Sequence, residues 1–283
     1  MRYQFLRFPD GREKAVTMSY DDGCPQDIRL AQTVSKYGMK CTFNLNSDEL
    51  RNQRLTKEMI EENFLSKGHE IAVHGALHKA EGTLRPIVGI RDVLDCRLEL
   101  EERYGIIIRG MAYPDSGIRH FANNSSYEKV KNYLTELDIV YARTLGGDND
   151  GFALPNDWHS WMPTCHHNNP NIHEYIDKFL KIDMSSPMHP ATRTPKLFYI
   201  WGHSYEFDGL DNWSLLYDIC STLGQHSDIW YATNIEIYNY VNAYNSLIYS
   251  ANSKIIYNPT LYKIWFDIDG KLYVIESGET LRI

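Results

Sequence analysis

The stretch VTMSYDDGCP, Val16 to Pro25, decides how the rest of the chain is read. An apolar run of strand length ends in two adjacent carboxylates, then a glycine and, one residue later, a proline. Like charges side by side repel, so folding alone does not ask for Asp21 next to Asp22. A buried strand that delivers them to its C-terminal end places them where parallel α/β folds carry their chemistry. The Gly23 bend lets the neighbouring residues turn in different directions. One carboxylate can then bind a metal while the other stays free as a base.

Outward from that strand, strand and helix signals alternate. KAVTMSY (14–20) is followed by a helical pattern, Ile28, Ala31, Val34 and Tyr37, which Pro25 opens and Gly38 closes. KCTFNLN (40–46) is a second strand, TKEMIEENFLSKG (56–68) a helix, and HEIAVH (69–74) a third strand. A long amphipathic helix spans 86–104, started by Pro86. IIIRGMAYP (106–114) and DIVYART (138–144) are strands on either side of a helix at about 124–137. The segment 145–170, rich in Gly, Asn, Asp, Pro, Trp and His, reads as a functional loop. Helix 171–182, strand KLFYIWGH (196–203), helix 211–223, strand IWYAT (229–233) and helix 234–249 complete the series. Repeated strand–helix units predict a parallel sheet covered by helices and closed into a TIM-like barrel. After residue 250 the pattern changes to alternating strands with a turn at DIDGK, a small antiparallel appendage. The expected division is therefore a barrel over 1–250 and a β appendage over 251–283.

Composition narrows the partners. With 29 basic against 37 acidic residues the net charge is −8, and no run of five like charges occurs, which argues against nucleic acid. No apolar stretch approaches the length of a membrane span. The opening MRYQFLRFPDGREK has no apolar signal core, and the five cysteines are scattered without C-x-x-C spacing, so a reduced, cytoplasmic protein is expected. The 20 tyrosines, 6 tryptophans and 10 phenylalanines suit stacking on sugar rings and filling a core alike.

A second chemical group follows the third strand. In VHGALHK, His74 and His78 are spaced i, i+4, so on one helical turn both imidazoles face the same way. That spacing suits two ligands on one divalent ion. Asp22 makes a third, leaving positions open for water and substrate, as in a catalytic site.

The motifs MSYDDG, VHGALH, GMAYPDSG and LFYIWGHSYEF, in this order over residues 14–210, resemble those of the polysaccharide deacetylases, the NodB-homology enzymes of carbohydrate esterase family 4. The resemblance implies a distorted (β/α) barrel of about seven strands and hydrolytic removal of acetyl groups from N-acetylated sugars or polysaccharide. It implies Asp21 as general base and Asp22, His74 and His78 as metal ligands. His203 is implied as general acid and the backbone N–H of Tyr113 as a donor to the oxyanion. The ion expected is Zn²⁺, with Co²⁺, Ni²⁺ and Fe²⁺ also suiting three N/O ligands. Glu70 and Asn44 are candidates for orienting the ligand histidines from behind.

Three departures stand out. Ser19 occupies a place where the family has Thr. Gly75 stands where it often has Ser or Thr, so a hydroxyl that would brace the loop is missing. Ala112 stands where many members have the arginine that positions the catalytic base, so Asp21 needs another partner. In the loop, Asp157 and Trp158 resemble a fourth motif that tunes the acid histidine. Trp161, His166, His167, Trp201 and Glu206 are further candidates for substrate contact or support, Glu206 by orienting His203. Cleavage of a cyclic amide or ureide, O-acetyl ester hydrolysis, and non-catalytic carbohydrate binding are the competing functions.

Overall fold

Two strands open the chain, β1 (Gln4–Arg7) and β2 (Lys14–Asp21), and β2 is buried along its whole length. The computed structural model describes residues 3–48, 54–145, 149–184 and 193–283. β2 organises them because it takes three partners. Along one edge it pairs with β8 (Lys196–Gly202) from Lys14 to Tyr20. Along the other, its first half pairs with β9 (Ile229–Tyr231) and its second half with β3 (Cys41–Leu45).

Beyond β3 the parallel sheet continues through β4 (Glu70–Val73), β5 (Gly110–Ala112) and β6 (Tyr141–Arg143); beyond β8 it ends in β7 (Cys165–His166). The two ends meet. Trp161, four residues before β7, forms a parallel bridge with Arg143 of β6. Its N–H donates to Ala142, and its carbonyl accepts from Thr144. Seven parallel strands, β2 to β8, thus make the distorted barrel expected, with β7 arising inside the segment read as a loop and the expected strand at 229–233 lying off the main order as β9.

The period of two along β2 sorts its side chains. Val16, Met18 and Tyr20 join the main core under the outer helices. Ala15 packs with Tyr141, Trp161 and Tyr199 in a second cluster. Thr17, Ser19 and Asp21 share that second face and are tied by hydrogen bonds: Thr17 to Asn234, Ser19 to Asn44, and Asn44 to Asp21. Helix Asn234–Asn245, opened by a Thr233–Glu236 capping box, anchors this network from below, with the Asn234 amide donating to Thr42 and its side chain to Tyr199.

Several boundaries differ from the expected ones. Strand 106–114 shrinks to Gly110–Ala112, because Gly105 ends helix Pro86–Tyr104 with a left-handed turn and Ile107 lies 81% exposed. The apolar run was not one strand. The single helix expected at 211–223 is preceded by a separate turn, Tyr205–Gly209. Helix 234–249 stops at Asn245, since Ile248 and Tyr249 form β10 and pair with β11 (Ile255–Tyr257), which also pairs with β14 (Thr280–Arg282). β12 (Ile264–Ile268) and β13 (Lys271–Ile275) form the hairpin foreseen at DIDGK. The free edge of β12 is filled by β1, so the first strand belongs to the same antiparallel sheet as the β12–β13 hairpin. No described helix is long and apolar enough to cross a membrane.

Candidate active site

Asp21 is the last residue of β2 and, on the strand's alternation, lies 2% exposed on the inner face. Asp22 leaves that alternation. Its own backbone is left-handed at φ 80°, and Gly23 follows at φ 64°. An aspartate tolerates this conformation at a modest cost that most residues do not bear so readily. The turn therefore begins at Asp22 and takes its carboxylate out of the strand's alternation, toward His74 and His78.

His74 and His78 converge on Asp22. The Asp22 Oδ1 atom lies 3.4 Å from His74 Nε2 and 3.2 Å from His78 Nε2. One ligand atom from each of the three residues lies within 4.8 Å of the others. The histidines do not share a helical turn. Residues 74–79 form a bend, with Gly75 at φ 72° and His78 at φ 53°, and the side chains meet because the chain folds back on itself. The carboxylate of Asp92, from helix Pro86–Tyr104, braces this bend by accepting from the Leu77 N–H at 2.9 Å. A Cβ at position 75 would lie 2.5 Å from Asp92 Oδ2. Glycine at 75 and the carboxylate at 92 are one device, which replaces the missing hydroxyl.

The other nitrogen of His74, Nδ1, lies 2.8 Å from the Ala112 carbonyl, which orients the ring so that Nε2 faces Asp22. Glu70 and Asn44 do not serve this purpose. Glu70 accepts from Tyr141 at 2.6 Å, Thr42 and the Ile235 N–H, at the start of β4. Asn44 donates to Asp21 Oδ1 at 2.8 Å.

The other oxygen of Asp21 accepts from Arg143 Nη2. Arg143 is fully buried on β6 in register with Ala112 of β5, and its guanidinium lies 4.5 Å over the ring of Trp201. The arginine absent from position 112 is thus supplied from the next strand at the same level. This residue escaped the sequence reading. The available signal was an arginine at the end of the apolar run DIVYA, where a buried parallel strand admits a charge only if it is paired.

His203, just past β8, places Nε2 at 3.9 Å from both Asp21 Oδ2 and Asp22 Oδ2, while its Nδ1 lies 3.3 Å from Glu206 Oε1. Burial alone would lower its pKa, but Glu206 and the two aspartates outweigh burial and hold it above the ordinary histidine value. Burial would likewise raise Asp22, yet the His74 and His78 imidazoles hold its carboxyl well below the usual range. A cleft of about 480 Å³ opens onto Asp22 and His78, walled by Pro25, Asn46, Arg54 and Tyr205.

Among the remaining candidates, Trp201 meets His166 and His203 edge-on, with ring centroids 4.7 and 5.8 Å away, so it borders the site. His166 and His167 both face Glu206. Asp157, Trp158 and Trp161 are elsewhere. Asp157 accepts from Tyr127 and Lys131, and Trp158 packs on Trp161 and Tyr238, while Trp161 also packs on Tyr141 and Tyr199. They close the barrel and anchor helix Tyr127–Glu136, and none of these partners is a residue of the site. Tyr113 requires a correction. Its N–H donates to the Arg143 carbonyl at 2.9 Å, and its hydroxyl donates to the His159 carbonyl, so its amide is engaged in the sheet and not free for an oxyanion.

Comparison with known proteins agrees with this architecture. Residues 9–139 match the family model described as polysaccharide deacetylase. The match covers somewhat less than half of the chain, and it is to the family that the motifs resemble. A variant of the peptidoglycan deacetylase PdaC of Bacillus subtilis superposes with a TM-score of 0.52 at 13% identity, over 83% of this chain and 94% of that one. A family 4 acetyl xylan esterase of Clostridium thermocellum, solved with a cobalt ion, gives 0.50 at 17% identity over 80% and 91%. The esterase domain of a multidomain xylanase from the hindgut metagenome of Trinervitermes trinervoides gives 0.50 at 17% over 82% and 92%. Similarity at these identities speaks for the fold. No curated protein shows significant sequence similarity to the chain.

Proposed function

We propose that this protein is a divalent-metal-dependent hydrolase that removes acetyl groups from an N-acetylated sugar or polysaccharide. The observation that carries the reading is the meeting of Asp21, Asp22, His74, His78 and His203 beside an open cleft at the C-terminal end of the barrel strands. Asp22, His74 and His78 fit an ion. They offer two nitrogens and an oxygen, and Asp22 Oδ1 is buried without a hydrogen bond of its own. When bound there, a divalent ion, Zn²⁺ first among the candidates, supplies Lewis acidity toward an acyl carbonyl and acidifies water.

The chain's own residues supply the rest. Asp21, held by Asn44 on one oxygen and Arg143 on the other, is placed to accept a proton from water entering from the cleft. His203, held by Glu206 and with a pKa above the ordinary histidine value, carries the proton that the departing amine needs. Trp201 walls the space beside both. In this reading the catalytic unit lies within residues 1–250, and residues 251–283 are an appendage that contributes no side chain to the site.

The experiment is acetate release by the metal-reconstituted protein from N-acetylglucosamine, its short oligomers and O-acetylated sugars, with an EDTA-treated control. EDTA-sensitive release from an N-acetyl sugar is expected. Asp21→Asn should keep the metal and lose at least about 10²-fold in turnover, the scale of general-base catalysis. Metal-loaded protein that releases no acetate from any substrate would reject the acetyl reading and make cyclic amides and ureides the next panel.

A further inference from the structure

A second cluster of ligand groups stands on the other side of His203. His166 and His167 lie at and just past the end of β7, and Glu206 lies in the turn Tyr205–Gly209. One ring nitrogen from each histidine and a carboxylate oxygen lie within 4.8 Å of one another. Glu206 Oε2 is 3.0 Å from His166 Nε2 and 3.2 Å from His167 Nε2. Donors about 2.0–2.1 Å from one ion at tetrahedral angles sit roughly 3.3 Å apart. The Asp22 group shows the same spacing, 3.4 and 3.2 Å.

His167 is the decisive residue. It is fully buried, and neither ring nitrogen makes a hydrogen bond of regular geometry. Leaving a buried imidazole in that state forfeits hydrogen bonds that water would otherwise supply, which plain core packing would not require. The ring is also locked. It stacks with Phe207 at 4.2 Å and with Tyr20 at 5.6 Å. A Cβ at position 202 would come within 1.9 Å of Nδ1, so only glycine leaves room for it there. With Nδ1 against Gly202, Nε2 faces Glu206, whose Oε2 is likewise buried without a hydrogen bond. His166 is partly exposed and opens the cluster toward solvent.

We propose that His166, His167 and Glu206 form a second site for a divalent transition-metal ion, separate from the Asp22 group. Two imidazoles and one carboxylate are N/O ligands of the type that Zn²⁺, Fe²⁺ and Co²⁺ take, and three protein ligands leave a position open. Glu206 joins the two sites. Oε2 faces the second ion, while Oε1 stays with Nδ1 of His203, whose Nε2 faces Asp22.

The test is a zinc count on the full chain, stripped with EDTA, reloaded with excess zinc and freed of the excess by gel filtration. Wild type should retain two zinc ions per chain. His166→Ala and Glu206→Gln should each retain one, and Asp22→Ala should also retain one. His166 is partly exposed and Glu206→Gln preserves shape, so both variants are expected to fold, with circular dichroism as the check. Wild-type zinc content in both His166→Ala and Glu206→Gln overturns the proposal, and so does loss of all zinc from these folded variants. The count does not depend on turnover, so failure of the acetate assay leaves it standing.

Discussion

Arg143 is the side chain on which, in the proposed function, the acid pair depends. Asp21 and Arg143 are both almost fully buried, and each is the other's ionic partner. Breaking a buried pair by removing one member typically costs about 3–5 kcal/mol, because the charge left behind has no water to solvate it. Arg143→Gln should therefore melt at a lower temperature and lose at least about 10²-fold in kcat, with KM little changed and metal content kept. Arg143→Lys should fall between, since a point charge replaces a planar fork that also stacks on Trp201. Wild-type kcat in Arg143→Gln would remove it as the residue that positions the base. Sequence reading recognised the vacancy at Ala112 and could not see what fills it. Register between β5 and β6 sets Ala112 beside Arg143, and register is a property of pairing, not of either strand alone.

At the scale of elements, the bend after β4 and the helix Pro86–Tyr104 form one unit. Gly75 sits left-handed and tight against Asp92, whose backbone and side chain both receive N–H groups of the bend. Restoring the family's hydroxyl here should harm the protein. Gly75→Ser adds about 1–2 kcal/mol of left-handed strain and a Cβ clash with Asp92. It should lower the melting temperature and weaken zinc retention at the Asp22 group by displacing His74 and His78. Stability and metal binding equal to wild type in a melt and a zinc titration would show that the bend is not braced in this way. The i, i+4 spacing of the histidines predicted a shared helical turn facing one ion. The two side chains instead meet at Asp22 through a bend, because glycine at 75 permits a reversal that a helix would not need.

For the whole molecule, the two ends of the chain are joined. β1 pairs with β12, and Ile256, Ile264, Phe266, Ile268 and Ile275 are buried in a core of their own with Ala243 and Leu247 of the last barrel helix and the turn after it. Each such side chain contributes about 1.5–3 kcal/mol when buried. Removing residues 251–283 would expose part of that core and strip β1 of its partner. The shortened chain should melt several degrees lower than the full one and aggregate more readily through the open edge of β1. An unchanged melting curve would mean that the appendage adds nothing to barrel stability. The tie also explains why the short opening segment QFLR forms a strand. Its partner is some 260 residues away, and local pattern carries no sign of it.

The sequence by itself determined most of the strand–helix order (though not β1 or β7), the helix from Pro86 to Tyr104, and the motifs that point to Asp21, Asp22, His74, His78 and His203. These follow from local periodicity, from the punctuation of glycine and proline, and from residue chemistry at strand ends, all of which act over a few residues. Only the tertiary structure decided that Arg143 holds Asp21, that Asp92 braces the His74–His78 bend, and that the Tyr113 amide is engaged. It alone placed Trp158 and Trp161 in the core and His167 in a buried slot against Glu206. Those outcomes depend on which strands become neighbours and in what register. That choice is made by burial of the whole core at once, beyond the reach of any single stretch of sequence.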